Sequence, residues 1–78
     1  MAKSSASSEG VYRVIDVVGS SDTSWEDAAR NAVETAGKSL RDLRIAEVTA
    51  QDVQLKDGKV ELFRTKLKVS FKYERGSD

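Results

Sequence analysis

Between residues 60 and 73 apolar and polar side chains alternate almost without a break. Phe63, Thr65, Leu67, Val69, Phe71 and Tyr73 share one parity; Leu62, Arg64, Lys66, Lys68, Ser70 and Lys72 share the other. A period of two belongs to a strand, whose successive side chains leave opposite faces. Val60 to Tyr73 is therefore predicted as one long strand. Upstream, Ile45 to Leu55 alternates in the same way, with Ala46, Val48 and Ala50 against Ile45, Glu47, Thr49 and Gln51. The segment between them, Lys56-Asp57-Gly58-Lys59, is a hairpin turn, because Asp-Gly supplies the positive φ angles of a tight primed turn. Val11 to Val18, rich in β-branched residues and ending at Gly19, is a further strand. Its inward face is ambiguous, since Arg13 and Asp16 have opposite parity. Gly19 to Asp22 reads as a loop.

Between the first two strands the period changes. Trp25, Ala28, Ala29, Ala32, Val33, Ala36 and Leu40 recur at the spacing of one helix face. Thr23 with Glu26 fits a capping box, and Ser24 with Asp27 serves nearly as well. Glu26 and Asp27 also suit the positive end of the helix dipole. The stripe is mostly Ala, so a sheet can approach closely. Gly37 marks a loosened last turn. The element order is β-α-β-β, an α+β chain, with the Phe63 and Val48 faces packed on the helix. The opposite face carries Ile45, Glu47, Thr49 and Gln51 beside Arg64, Lys66 and Lys68. Such a face is either solvated and laced with cross-strand ion pairs or a ligand and subunit surface. A strand this long on so small a chain favours packing against neighbours.

Size sharpens that choice. The chain has 78 residues, and residues 1–10 are small and polar with no periodicity. They read as a disordered tail, with Gly76-Ser77-Asp78 fraying at the other end, which leaves 11–75 as one domain. A fold of roughly 65 residues buries only about 60% of its unfolded surface and is marginal alone. The usual remedies are disulfides, metals or oligomerisation. Cys and His are both absent, which removes disulfides and Cys/His metal sites. Oligomerisation remains. The same absence removes the commonest nucleophile and general base, and no carboxylate pair or Gly-rich phosphate loop stands out, so the chain does not read as an enzyme. Thirteen basic residues balance thirteen acidic ones, so no overall attraction to nucleic acid or membrane is expected. No apolar run reaches membrane-spanning length, and the N-terminus has no apolar signal core; a cytoplasmic protein is expected.

The segments VYRVIDVVGSS, TSWEDAARNAV, LRIAEV, DGK and LKVSFKYE, in this order and spacing from Val11 to Glu74, resemble the dodecins. The resemblance implies a three-stranded antiparallel sheet wrapped partly around one helix. It also implies trimers assembled into a hollow homododecamer that stores small ligands. In the flavin-binding dodecins the position of Ile45 is a Trp that stacks on the isoalloxazine ring, and that of Arg64 is a Gln that hydrogen-bonds the flavin edge. Ile45 offers only apolar contact. Arg64 donates hydrogen bonds but cannot accept them, so it suits an anion, or a partner such as Glu47. Ile45 and Arg64 are thus the candidate ligand positions, flanked by Glu47, Gln51 and Lys66, and both argue against riboflavin or FMN.

TSWE, the aliphatic Ile45, Arg64 and the Gln51-Asp52 pair are similar to a dodecin branch without the stacking Trp, one member of which binds calcium. Calcium or another cation is then the alternative ligand. The carboxylates available to it are Glu47, Asp16 and Asp52, scattered along the chain and without an EF-hand loop, so only symmetry-related copies could gather them. Trp25, beside the helix cap, reads as a packing anchor and not as the flavin platform. Three cations at spacing two on one strand repel unless something negative is near. An intersubunit network with Glu26, Asp27 or Glu34 of a neighbouring copy is the expected answer, and a bound anion the other. The reading is a non-catalytic shell that sequesters small ligands or ions, with flavin binding weakened or lost. The alternative is a purely structural assembly with cations at its symmetry axes and no organic ligand.

Overall fold

The computed structural model describes residues 10–72. Residues 1–9 and 73–78 lie outside it, and with them most of the expected tail, Tyr73 and the closing residues. The chain runs β1 (Tyr12–Ser21), α1 (Trp25–Ser39), β2 (Leu43–Lys56) and β3 (Lys59–Lys72). The three strands form one antiparallel sheet in the order β1-β3-β2. The alternating strand β3 is therefore central, which is where a clean two-faced pattern is most needed. Helix α1 lies across β1 and β3 and barely reaches β2.

The parity of β1 is settled by its pairing. Ile15, Val17, Gly19 and Ser21 stand opposite Val69, Leu67, Thr65 and Phe63 and share the helix face. Asp16 therefore points to the open face and Arg13 shares the side of Phe71. The expected loop at Gly19 to Ser21 is instead the end of β1. A helix packed directly above lets the strand continue, because Gly19 has no side chain to hold it off. A Cβ at Gly19 would collide with the Ala28 carbonyl oxygen and lie 2.8 Å from Ala32 Cβ. Ala28, Ala32, Thr65, Leu67 and Val69 are the buried centre, with Ile15, Val17, Ala29, Val33 and Leu43 packed around it.

The cap of α1 is the Ser24 alternative. Ser24 Oγ accepts from Asp27 N at 3.0 Å, satisfying one of the free N–H groups of the first turn. The reciprocal arm differs from a capping box. Ser21 Oγ donates to Asp27 Oδ2 at 2.8 Å and accepts from Thr23 N at 2.9 Å. Ser21, at the end of β1, so ties strand to helix. At the other end Gly37 does not loosen the helix, which continues to Ser39 and closes with Leu40 N donating to Ala36 O at 3.0 Å. Asp42 takes positive φ (59°) to redirect the chain into β2, a conformation short polar side chains tolerate. The Asp57-Gly58 turn has φ of 54° and 75°, as expected for the primed turn.

Strand β2 departs from simple alternation. Leu55 stands opposite Val60, but Gln54 stands opposite Leu62, so Glu61 is an extra residue on β3. Val48 stands opposite Leu67 and Ala50 opposite Lys66, so Thr49 is an extra residue on β2. The two bulges compensate. Between them the register is slipped by one residue, which exchanges faces. Gln51 consequently opposes Thr65 on the helix face, while Ala50 and Asp52 join Lys66 and Arg64 on the open face.

A fifteen-residue helix is about 22 Å long, whereas a fourteen-residue strand spans about 47 Å. The molecule measures 56 × 28 × 15 Å, and most of β2 has no cover. Val48, Leu55 and Val60 are exposed, as are Val14, Val18 and Ile45. So much apolar surface on so small a core is the pattern of a subunit. Because Gly19 is the point of closest helix approach, Gly19→Val should force α1 off the sheet and destabilise the fold by about 1–3 kcal/mol or more. Denaturant unfolding followed by circular dichroism should show the lower midpoint; an unchanged midpoint would mean the contact is slack.

Candidate functional site

The open face of the sheet is organised in rows by cross-strand pairing. One row is Asp16, Lys68 and Glu47; the next toward the hairpin turn pairs Lys66 with Ala50; the next pairs Arg64 with Asp52. Ile45 lies the other way, opposite Ser70, and is 66% exposed. Ile45 and Arg64 therefore share a face as expected but are not neighbours. Six residues of β3 separate the two rows, roughly 20 Å at strand rise. Only different copies of the chain could bring them into one pocket.

Arg64 is paired within its own chain. Its Nε donates to Asp52 Oδ1 at 2.8 Å and its Nη2 to Asp52 Oδ2 at 2.9 Å. This two-point geometry is the strong form of the guanidinium–carboxylate pair. Lys66 Nζ approaches the same Oδ2 at 3.9 Å, and Lys68 Nζ donates to Asp16 Oδ1 at 3.0 Å. Arg64, Lys66 and Lys68 are thus answered by Asp52 and Asp16. Neither Glu47 nor a helix carboxylate pairs with Arg64. The expected intersubunit role of Glu26, Asp27 or Glu34 is not needed for Arg64, and Asp27 is spent on Ser21 and on Arg30, 3.4 Å away.

Asp52 is itself held from behind. Trp25 Nε1 donates to the Asp52 carbonyl oxygen at 3.0 Å. The indole meets Phe63 edge-on with centroids 5.0 Å apart, and Thr65 Oγ1 donates to the Trp25 carbonyl at 2.8 Å. Trp25 is an anchor between helix start and β2, as its position beside the cap implies. Thr49, the bulge residue, donates from Oγ1 to Lys66 O at 3.2 Å, bonding the bulge to the strand it faces. The Asp52–Arg64 pair was hidden in the sequence by the register slip. Its trace was the change of apolar parity from Val48 to Val53.

The hydrogen bonds from Arg64, followed by the charges of Arg64 and Lys66, hold the Asp52 carboxyl below its ordinary range despite the opposing effect of desolvation. Arg64 is raised in turn, first by the same hydrogen bonds. As cation ligands the three carboxylates do not converge. Among the described residues no group of three or more acidic side chains is placed to hold a metal. Asp16 and Asp52 are each bonded to a cation, and calcium asks for six to eight oxygens.

A β-α-β-β chain with one helix on a three-stranded antiparallel sheet is an α+β fold of the dodecin type, and the chain belongs to the dodecin family: the family model matches residues 11–74. It is 48% identical over 62 residues to calcium dodecin of Mycobacterium tuberculosis, covering 80% of this chain and 87% of that one. The solved structure of that protein, described as a calcium-chelating immunodominant antigen with a novel calcium-binding site, superposes with a TM-score of 0.75 over 88% of this chain and 97% of its own. The dodecin of Streptomyces coelicolor is 41% identical, with a TM-score of 0.82 over 87% and 97% of the two chains. Dodecamer assembly is known for this fold, and dodecins are non-catalytic binders of flavins or ions. No helix among the described residues is long and apolar enough to cross a membrane.

The pair makes a pH prediction. A depressed native pKa contributes stability that is present above the unfolded carboxyl value, near 3.9, and lost as pH falls through the lower native value. Carboxyl 13C shifts should show Asp52 titrating below the ordinary aspartate range. In Arg64→Gln its midpoint should move up; an unmoved midpoint would refute the pair in solution.

Proposed function

We propose that this chain builds a hollow homododecameric shell from trimers. The shell is non-catalytic, sequesters small ions or ligands, and binds flavin weakly or not at all. The observation that carries the flavin reading is the two-point Asp52–Arg64 pair. Arg64 occupies the position that resemblance matches to the flavin-contacting Gln. A Gln amide donates and accepts; Arg64 accepts nothing, and its Nε and Nη2 already hold Asp52. At the stacking position Ile45 offers no aromatic surface. No nucleic-acid or membrane partner is proposed, and the cytoplasm is the compartment this reading favours.

Likeness to calcium dodecin makes calcium the cation to test first. Because the carboxylates of the described residues do not converge within one chain, this reading draws the ligands from several copies. Calcium should therefore bind the assembled shell in isothermal titration and raise its dissociation temperature over that in chelator. Equal binding by a dissociated monomer would contradict shared ligation. A shell that binds no cation and no organic molecule would support the purely structural alternative.

Light scattering should give the mass of about a dozen chains at micromolar concentration, since association supplies the burial that a fold of roughly 65 residues lacks. Riboflavin should quench far less on titration into this protein than into a Trp-bearing dodecin. Nanomolar affinity would overturn the flavin reading. The double change Ile45→Trp with Arg64→Gln should restore binding. A gain beyond the sum of the single changes would show that neighbouring copies bring the two positions together.

A further inference from the structure

We propose that Asp52 is a built-in counter-anion that occupies a phosphate-type anion site made by Arg64 and Lys66, and so determines the charge of ligand this face accepts. The proposal rests on the reading of the open sheet face as the ligand face. Its evidence is convergence. Arg64 Nε, Arg64 Nη2 and Lys66 Nζ all aim at one carboxylate, at 2.8, 2.9 and 3.9 Å. A planar fork with an ammonium beside it is the donor set that recognises phosphate and carboxylate. Here the anion is supplied by the chain itself. The site is open to solution, with the Arg64 and Asp52 side chains 37% and 39% exposed, so a free anion can reach it and must compete with a tethered one. Tethering gives the resident carboxylate a high effective concentration.

The surrounding structure places Asp52 there by design of the register. Without the paired bulges at Glu61 and Thr49, neutral Gln51 would stand opposite Arg64. With them, Asp52 does, and Trp25 holds its backbone. Lys68 is taken by Asp16, so it does not share the load. Removing the Asp52 charge leaves two adjacent cations with no carboxylate on them.

The test uses the assembled full-length protein and inorganic phosphate at low ionic strength, followed by isothermal titration and 31P line broadening. Asp52→Asn should bind phosphate at least about fivefold more tightly than the parent, the affinity equivalent of a strong exposed ion pair. The gain should fade as salt is raised and vanish in Asp52→Asn with Arg64→Gln. Riboflavin 5′-phosphate should gain where riboflavin does not. Asp52→Thr, a strand-favouring change, is the second variant, and light scattering verifies that each shell is intact. Equal phosphate binding by the parent and both variants, or a gain that survives Arg64→Gln, would overturn the proposal. Tight riboflavin binding by the parent would instead defeat the flavin reading alone, because the phosphate ratio between variant and parent is judged separately.

Discussion

Helix α1 sits on the sheet at the distance set by Gly19, and most of the remaining structure is arranged around that contact. With no Cβ beneath it, the backbone of Ala28 descends onto β1 and Ala28 and Ala32 become buried. The helix start then lies where Ser21 can bond Asp27, and the Trp25 carbonyl lies over Thr65. From there the indole reaches β2 and takes the Asp52 carbonyl. Asp52 is thereby presented to Arg64 in two-point geometry. A steric fact on the first strand is connected, through these hydrogen-bonded residues, to the charge of the face on the other side of the sheet.

The same close contact limits the fold. A stripe of alanines packs tightly but buries little area, and the hydrophobic stabilisation follows area. The helix covers β1 and β3 and leaves β2 and the hairpin arm bare. Val48, Leu55, Val60 and Ile45 on these strands stay largely exposed in a single chain. The dodecamer assembly known for this fold is a remedy that needs no disulfides or Cys/His metal sites, which this chain cannot make.

Charge on the open face is balanced locally. Each exposed pair contributes little stability by itself. Their arrangement still matters, because it leaves the face without an unanswered cluster of cations. On the proposed reading, the two positions matched to the flavin site hold a side chain without a ring, Ile45, and a guanidinium bonded to Asp52, Arg64.

Much of the fold was legible from the chain. The β-α-β-β order, the faces of β3, the Asp57-Gly58 turn and a cap at Thr23 or Ser24 all follow from local rules, since periodicity and turn conformation depend on residues a few positions apart. The faces of β2 were legible only as far as Val48. Beyond it two compensating bulges slip the register, and a slip of one residue moves every side chain to the other face. That is why Gln51 was expected beside Arg64 and Asp52 is found there. Likewise the extension of β1 through Ser21 and the separation of Ile45 from Arg64 depend on which strand lies opposite and how near the helix comes. Those are distances between segments remote in sequence, and only the packed tertiary structure sets them.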